Sequence, residues 1–169
     1  MCGVTKTWTV AEHHAWAADR LAYIVKHLSK KQAQELQSLF DSCTHSGLRE
    51  RMCLIHQDLT SEHILFDTRT KKISGIIDFG EAQIGDPLND LARMWEYGED
   101  FVDLVLKYYR TNDPHLKIRS FEKFIYFGIS LLYFGIKKKR KDYWNRGFGF
   151  IFDLKCCKHF KSKHRPCHA

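Results

Sequence analysis

Residues 56–63 read His-Gln-Asp-Leu-Thr-Ser-Glu-His, and Asp-Phe-Gly stands at 78–80, fifteen residues after that stretch ends. Each stretch follows a short, mostly apolar segment that has the length of a buried strand. Carboxylates at the ends of such strands are held stiffly while they still reach solvent. In this order and this close together, the two stretches predict a pair of loops that places Asp58 and Asp78 around a metal-bound phosphate.

The length and composition of the chain favour one domain, or one large and one vestigial lobe. Its 169 residues are 44% hydrophobic, which is enough to build a core and too apolar for disorder throughout. A membrane-spanning helix needs about 20 apolar residues, and the longest apolar run, residues 124–136, is shorter. The N-terminus shows no basic-then-apolar signal pattern, so we expect a cytoplasmic protein without a membrane span.

The net charge of +7 is concentrated at the C-terminal end. From residue 137 onward there are eleven Lys or Arg and two Asp, which leaves residues 1–136 with a net charge of −2. A basic end can bind nucleic acid or an anionic membrane without specificity, but it is more often only solvated. Residues 137–165 contain no recognisable base-reading motif. We therefore expect no specific nucleic-acid partner and keep nucleic-acid binding as an alternative.

Cysteine and histidine residues cluster in the last fourteen positions, at Cys156, Cys157, His159, His164, Cys167 and His168. Zinc accepts this mixture of ligands, but adjacent cysteines suit one tetrahedral site poorly and no second pair follows at finger spacing. The six cysteines of the chain show no disulfide framework. We expect residues 155–169 to form a basic, poorly ordered tail, with zinc binding as the less favoured alternative.

Hydrophobic spacing predicts a mainly helical chain with one β-hairpin. Apolar residues recur at helical spacing over 11–28 and 29–41, with Ser29 as the N-cap of the second helix. A hairpin is predicted from two apolar segments joined by a polar turn at 67–72. A helix is expected to start at Asp86-Pro87, followed by helices at 99–110, 120–137 and 142–154. The predicted fold class is therefore α+β and predominantly helical.

The residue types in the two loops suit phosphoryl transfer. Asp58 can take a proton from a substrate hydroxyl, and Asp78 can bind Mg²⁺. Gly80 permits the tight backbone that brings such a carboxylate to a metal, and His63 points back toward Asp58 across the turn. The alternative is that the aspartates are ordinary turn residues and the histidines satisfied loop residues. The pairing of both motifs around a hairpin favours the functional interpretation.

The two loops resemble the catalytic and metal-binding loops of protein-kinase-like enzymes. Their flanks are more particular, because residues 54–58, 75–80 and 85–92 together resemble the aminoglycoside phosphotransferase family. His63, in place of asparagine, is similar to the branch of that family that modifies a 2''-hydroxyl. The resemblance is strong over residues 50–95.

The resemblance implies the C-terminal lobe of a kinase-like fold. This lobe would cover residues 11–154, with its catalytic core at 52–95 and a small β-hairpin next to the catalytic loop. It also implies a helical region that binds the substrate.

The resemblance also implies a role for each residue of the site. Asp58 would orient or deprotonate the attacking sugar hydroxyl. His63 and Asp78 would hold Mg²⁺ with the phosphates of ATP or GTP, His63 through water or phosphate because magnesium prefers oxygen ligands. His56 and Asp90 would brace the catalytic loop. Acidic side chains of the helical region would face a cationic aminoglycoside, namely Glu96, Glu99, Asp100 and Asp103.

The sequence lacks some of the parts that a nucleotide site needs. Phosphoryl transfer requires that the nucleotide phosphates be positioned and neutralised, and kinase-like folds use a glycine-rich loop and a strand lysine for this. The chain contains no Gly-x-Gly-x-x-Gly loop and no Val-Ala-Ile-Lys-like strand, so no phosphate loop or lysine is assigned. We interpret residues 1–10 as the remnant of an N-terminal lobe.

The predicted function is transfer of the nucleotide γ-phosphoryl group to a hydroxyl of an aminoglycoside or a similar small molecule, as in antibiotic resistance. We expect a truncated chain whose activity on its own is open. An inactive fragment or a small-molecule-binding module is one competing hypothesis. A small-molecule kinase that acts on choline, homoserine or macrolides is another.

Overall fold

The computed structural model describes residues 10–43, 52–109 and 113–153. This part of the chain contains six α-helices and four short strands. The helices are α1 (Val10–Ile24), α2 (Lys30–Asp41), α3 (Leu88–Arg93), α4 (Glu99–Tyr108), α5 (Leu116–Lys137) and α6 (Lys141–Phe148). The strands are β1 (Cys53–Ile55), β2 (Ile64–Asp67), β3 (Lys72–Ile76) and β4 (Gln83–Gly85). This architecture confirms the predicted α+β, predominantly helical class.

Local sequence signals explain where several helices begin. Ser29 Oγ accepts a hydrogen bond from Gln32 N at 3.3 Å, while Gln32 Oε1 accepts one from Ser29 N at 3.0 Å, so α2 starts with a capping box. Asp86 Oδ1 accepts from Leu88 N at 3.0 Å, at the predicted start of α3. Helix α1 ends earlier than predicted because Val25–His27 tightens into a 3₁₀ turn, and α5 begins four residues earlier than predicted.

The strands form two separate antiparallel pairs. Strands β2 and β3 are the predicted hairpin, and β1 pairs with β4, which the sequence pattern did not predict because three residues are too few to show alternation. Residues 56–63 join β1 to β2, and residues 77–82 join β3 to β4. Both motif stretches therefore connect the same two strand pairs, which is why they lie side by side.

Helix α5 forms the centre of the hydrophobic core and packs against α1, α3, α4 and α6. Phe121 and Phe124 of α5 are fully buried, as is Trp95, which follows α3 in the chain. The indole Nε1 of Trp95 donates to Ser120 Oγ at 2.9 Å, so its buried polar atom is satisfied. Because α3 packs directly on α5, the core fixes the position of any α3 residue that contacts the loops at 56–63 and 77–82.

Two glycines allow α5 and α6 to approach closely. A Cβ on Gly135 would lie 2.7 Å from the backbone nitrogen of Trp144, and one on Gly147 would lie 2.9 Å from the backbone nitrogen of Leu132. Backbone atoms cannot turn aside as a flexible side chain can. The α5–α6 contact therefore requires glycine at both positions.

The exposed apolar side chains are concentrated on the strands. Of the twelve large hydrophobic residues that are exposed within the described residues, nine lie between positions 52 and 84. We call these nine the strand patch: Met52, Leu54, Leu65, Phe66, Ile73, Ile76, Ile77, Phe79 and Ile84. Exposed apolar side chains mark sites of interaction where they form a contiguous surface.

Two of the predicted segments lie outside the described residues. These are the N-terminal remnant, apart from its last residue, and the tail at 155–169. The domain boundaries therefore stay predictions. In the part of the chain that the structure describes, no helix has the length and hydropathy needed to cross a bilayer.

We expect Gly135→Ala to destabilise the protein by about 1–3 kcal/mol, the usual cost of overpacking a core. The added methyl group has no space beside the Trp144 backbone, and this outweighs the better helix propensity of alanine. Urea denaturation measures the change. Gly149→Ala is the matched control, because nothing lies within 4 Å of its added Cβ. Equal stability of the two variants would contradict the close α5–α6 contact.

We expect the double substitution Leu54→Thr and Ile84→Thr to reduce self-association while leaving the thermal midpoint nearly unchanged. These two residues face each other across β1 and β4 and are 67% and 63% exposed. Light scattering and thermal denaturation provide the two measurements. Ile55→Thr is the control, since this neighbour in β1 is buried, and it should lower the midpoint instead. A large loss of stability in the double variant would show that the strand patch is part of the core.

Candidate active site

The Asp90 carboxylate holds the backbone at the start of the first loop. Its Oδ2 accepts from His56 N at 2.7 Å, and its Oδ1 accepts from Gln57 N at 2.9 Å. Gln57 adopts a left-handed backbone conformation with φ of 71°, which a residue other than glycine adopts only at a cost. Asn89 also donates to the Gln57 side chain at 3.1 Å. The first turn of α3 thus imposes the bend that turns Asp58 outward.

The buried His56 ring ties the two loops together. Its Nε2 donates to the carbonyl oxygen of Ile77 at 2.8 Å, which fixes the proton on that nitrogen because a carbonyl can only accept. The ring also lies 4.7 Å from the ring of Phe79. His56 therefore holds the first loop against the residues on either side of Asp78.

His63 lies between the two predicted carboxylates. Its Nδ1 donates to the backbone carbonyl of Asp58 at 2.7 Å, and its Nε2 lies 3.5 Å from Asp78 Oδ2. The imidazole is 17% exposed, whereas the side chains of Asp58 and Asp78 are 44% and 64% exposed. The largely buried His63 imidazole therefore lies between two solvent-accessible carboxylates.

The backbone at Asp78 turns sharply so that its carboxylate faces the first loop. Asp78 has φ of 63° and ψ of 59°, a left-handed conformation that aspartate tolerates better than most residues. The chain then enters a 3₁₀ turn, Phe79–Glu81. A Cβ on Gly80 would come within 3.4 Å of Asp78 Oδ1, so glycine leaves this carboxylate room.

The arrangement of His63 and Asp78 fits a magnesium site. His63 Nδ1 donates to the Asp58 carbonyl, and its Nε2 is turned toward the Asp78 carboxylate at 3.5 Å. A cation bound to Asp78 would therefore lie beside the imidazole. Asp78 offers the carboxylate oxygens that Mg²⁺ prefers, whereas His63 would act through water or a phosphate oxygen. No group of three or more potential ligands occurs among the described residues, so water and phosphate oxygens would complete the coordination.

Arg93 is a site residue that the sequence analysis did not identify. Its Nη2 donates to Asp58 Oδ1 at 3.3 Å, from the last residue of α3. Burial lowers the pKa of Arg93, while the Glu96 and Asp58 carboxylates act against that shift, and a guanidinium remains protonated in proteins. The signal in the sequence was the spacing of three residues from Asp90, which places both side chains on one face of a helix.

The acidic residues predicted to face a cationic substrate are mostly paired within the protein. Glu96 Oε2 lies 3.0 Å from Arg146 Nη2, and Glu96 Oε1 lies 3.5 Å from Arg93 Nη1. Glu99 and Asp103 share Lys117 Nζ, at 2.8 and 2.6 Å. Asp100 lies in the first turn of α4. A substrate ammonium group would have to compete with these arginine and lysine side chains.

We expect Asp90→Ala to release the first loop. The change removes two charge-assisted hydrogen bonds and leaves the amides of His56 and Gln57 without their acceptor. Hydrogen exchange of these two amides should accelerate strongly. Asp86→Ala is the matched control, because this aspartate caps the same helix without contacting the loop. Equal amide protection in wild type and Asp90→Ala would contradict the role assigned to Asp90.

The chain matches known proteins in sequence. The profile of the phosphotransferase enzyme family (APH) matches residues 5–117. Viomycin phosphotransferase of Streptomyces vinaceus is 39% identical over 56 residues, which make up 31% of this chain and 20% of that protein.

Solved structures resemble most of the chain. The GDP and kanamycin complex of APH(2'')-IIIa aligns with a TM-score of 0.69 and 25% identity, over 88% of this chain and 52% of that one. Macrolide 2'-phosphotransferase type I aligns with a TM-score of 0.58 and 22% identity, over 86% and 50% of the two chains, and shows the fold alone. The chain thus spans about half the length of these structures. Because the family profile covers more than half of its residues, the chain belongs to the phosphotransferase enzyme family, in agreement with the resemblance of its loops to aminoglycoside phosphotransferases.

Proposed function

We propose that this chain supplies the catalytic loops for transfer of the γ-phosphoryl group of ATP or GTP to a hydroxyl of an aminoglycoside or a similar small molecule. The observation that carries the proposal is the pair of accessible carboxylates, Asp58 and Asp78, with His63 between them. The solved relative with GDP and kanamycin supports both partner classes. Such a transfer would confer antibiotic resistance, and we place it in the cytoplasm, where both nucleotides occur.

Each loop residue has a distinct part in the proposed reaction. Asp58 accepts a hydrogen bond from the acceptor hydroxyl and takes its proton as the new oxygen–phosphorus bond forms. The bond between the γ-phosphorus and the bridging oxygen breaks, and ADP or GDP leaves. Asp78, with His63 beside it, would hold Mg²⁺, and the bound ion would neutralise charge on the phosphates. Asp90 and His56 hold the two loops in fixed positions relative to each other throughout the reaction.

We further propose that a β-rich lobe with a phosphate loop and a lysine covers the strand patch in the active enzyme. The strand patch borders Asp78 and is apolar and exposed. The sequence contains no glycine-rich phosphate loop of its own, and the chain spans 52% of the solved relative. Transfer by the purified chain alone, without such a lobe, is therefore the most demanding test of the proposed function.

We expect Asp58→Asn to lower the rate of phosphate transfer by about 10²–10⁴-fold, the usual contribution of a general base. The assay uses the purified chain with Mg²⁺, kanamycin, and ATP or GTP, and mass spectrometry detects the added phosphoryl group. Asp67→Asn is the control, because this aspartate lies at the far end of the same hairpin and bonds only within its turn. Chelation of Mg²⁺ should abolish transfer.

Different outcomes of this assay separate the competing hypotheses. Transfer to a macrolide, choline or homoserine, but not to kanamycin, would show that the proposed reaction is right and the proposed acceptor is wrong. Thermal stabilisation by kanamycin without any transfer, both by the chain alone and by the chain joined to a β-rich lobe with a phosphate loop, would indicate a binding module. Transfer that persists at the wild-type rate in Asp58→Asn would overturn the proposed mechanism.

A further inference from the structure

Helix α3 contacts the first loop at two places, and only one of them is explained by bracing. Asp90 holds the backbone of residues 56 and 57, as described above. Three residues later on the same helix face, Arg93 reaches the side chain of Asp58 itself. The two contacts are consecutive along the loop, so α3 fixes first the path of the backbone and then the carboxylate at its end.

The guanidinium of Arg93 is itself held from two sides. Its central carbon lies 3.5 Å from the centroid of the Phe127 ring, which belongs to α5. Its Nη1 lies 3.5 Å from Glu96 Oε1, and the Arg93 side chain is only 13% exposed. Arginine side chains lose much rotational freedom when fixed, and here packing imposes that loss before any substrate arrives. The donor that meets Asp58 is therefore preorganised.

The contact divides the two oxygens of Asp58 between different partners. Oδ1 accepts from Arg93 at 3.3 Å, while Oδ2 lies 3.8 Å from His63 Nδ1, whose proton is already given to a backbone carbonyl. Oδ2 is thus left with its hydrogen-bonding capacity for a ligand. A carboxylate that is 44% exposed would otherwise rotate between orientations.

We propose that Arg93 is a positioning residue, which holds Asp58 Oδ1 so that Oδ2 receives the acceptor hydroxyl. This inference rests on the proposed function for its kinetic consequence but not for the contact itself. Arginine suits the task better than lysine, because a planar guanidinium can stack on Phe127 and bridge Asp58 to Glu96 at the same time. A lysine would keep the charge, but it would lose the stacking on Phe127 and the two-pronged contact with Asp58 and Glu96.

The kinetic test compares Arg93→Lys and Arg93→Met with Arg146→Met. Misplacing a catalytic group by about 1 Å can cost about 100-fold in rate. We expect kcat to fall about 100-fold in Arg93→Met and about 10-fold in Arg93→Lys, with the KM for the acceptor nearly unchanged. Arg146 is a matched control, since it also pairs with Glu96 and lies near Phe127, but at 6.0 Å. A fall in kcat that is equal for Arg146→Met and Arg93→Met would overturn the proposal.

A second measurement separates failure of this inference from failure of the proposed function. The Asp58 carboxyl carbon is observed by NMR in protein labelled with ¹³C at the aspartate side chains, and the signal is identified by its loss in Asp58→Asn. We expect the signal to move in Arg93→Met and to stay in place in Arg146→Met. This result stands even when the chain transfers no phosphate. The Arg93 contact is refuted if the chemical shift of this signal is unchanged in Arg93→Met, or if it changes equally in both variants.

Discussion

The geometry of the site depends on one carboxylate that accepts two successive backbone N–H groups. Asp90 holds the amides of His56 and Gln57 and thereby stabilises the left-handed backbone at Gln57. Without this acceptor, two partly buried donors would lack partners, and the strained bend would have nothing to offset its cost. The position of Asp58 follows from this bend, and the contact of His63 with the Asp58 carbonyl follows in turn.

The short helix α3 explains how the strained loop stays in place. Its inner residues pack on α5, so the 22-residue helix at the centre of the core supports it. The strands contribute differently, because each pair is short and largely exposed. The strands bring the two loops together, whereas α3 fixes their conformation. This separation allows the surface next to Asp78 to remain apolar and open while Asp90 holds the bend of the first loop.

The sequence was sufficient for the helices, the hairpin and the two loops, because capping residues, hydrophobic spacing and motif order are local signals. It was insufficient for β4, whose three residues show no periodicity. It also missed Arg93, since the partner of an arginine depends on tertiary structure. The acidic residues at 96, 99 and 103 look like free charges in the sequence. In the fold, arginine and lysine side chains from distant positions pair with them.

The Phe127 ring has a consequence for how this protein can evolve. It packs among core residues on α5 and at the same time carries the Arg93 guanidinium on its face. Leucine or methionine at this position could fill a similar volume, so stability alone would select weakly against either. Neither offers the flat face on which a guanidinium stacks. Selection for catalysis would therefore keep an aromatic ring at position 127 in lineages where selection for folding alone would let it drift.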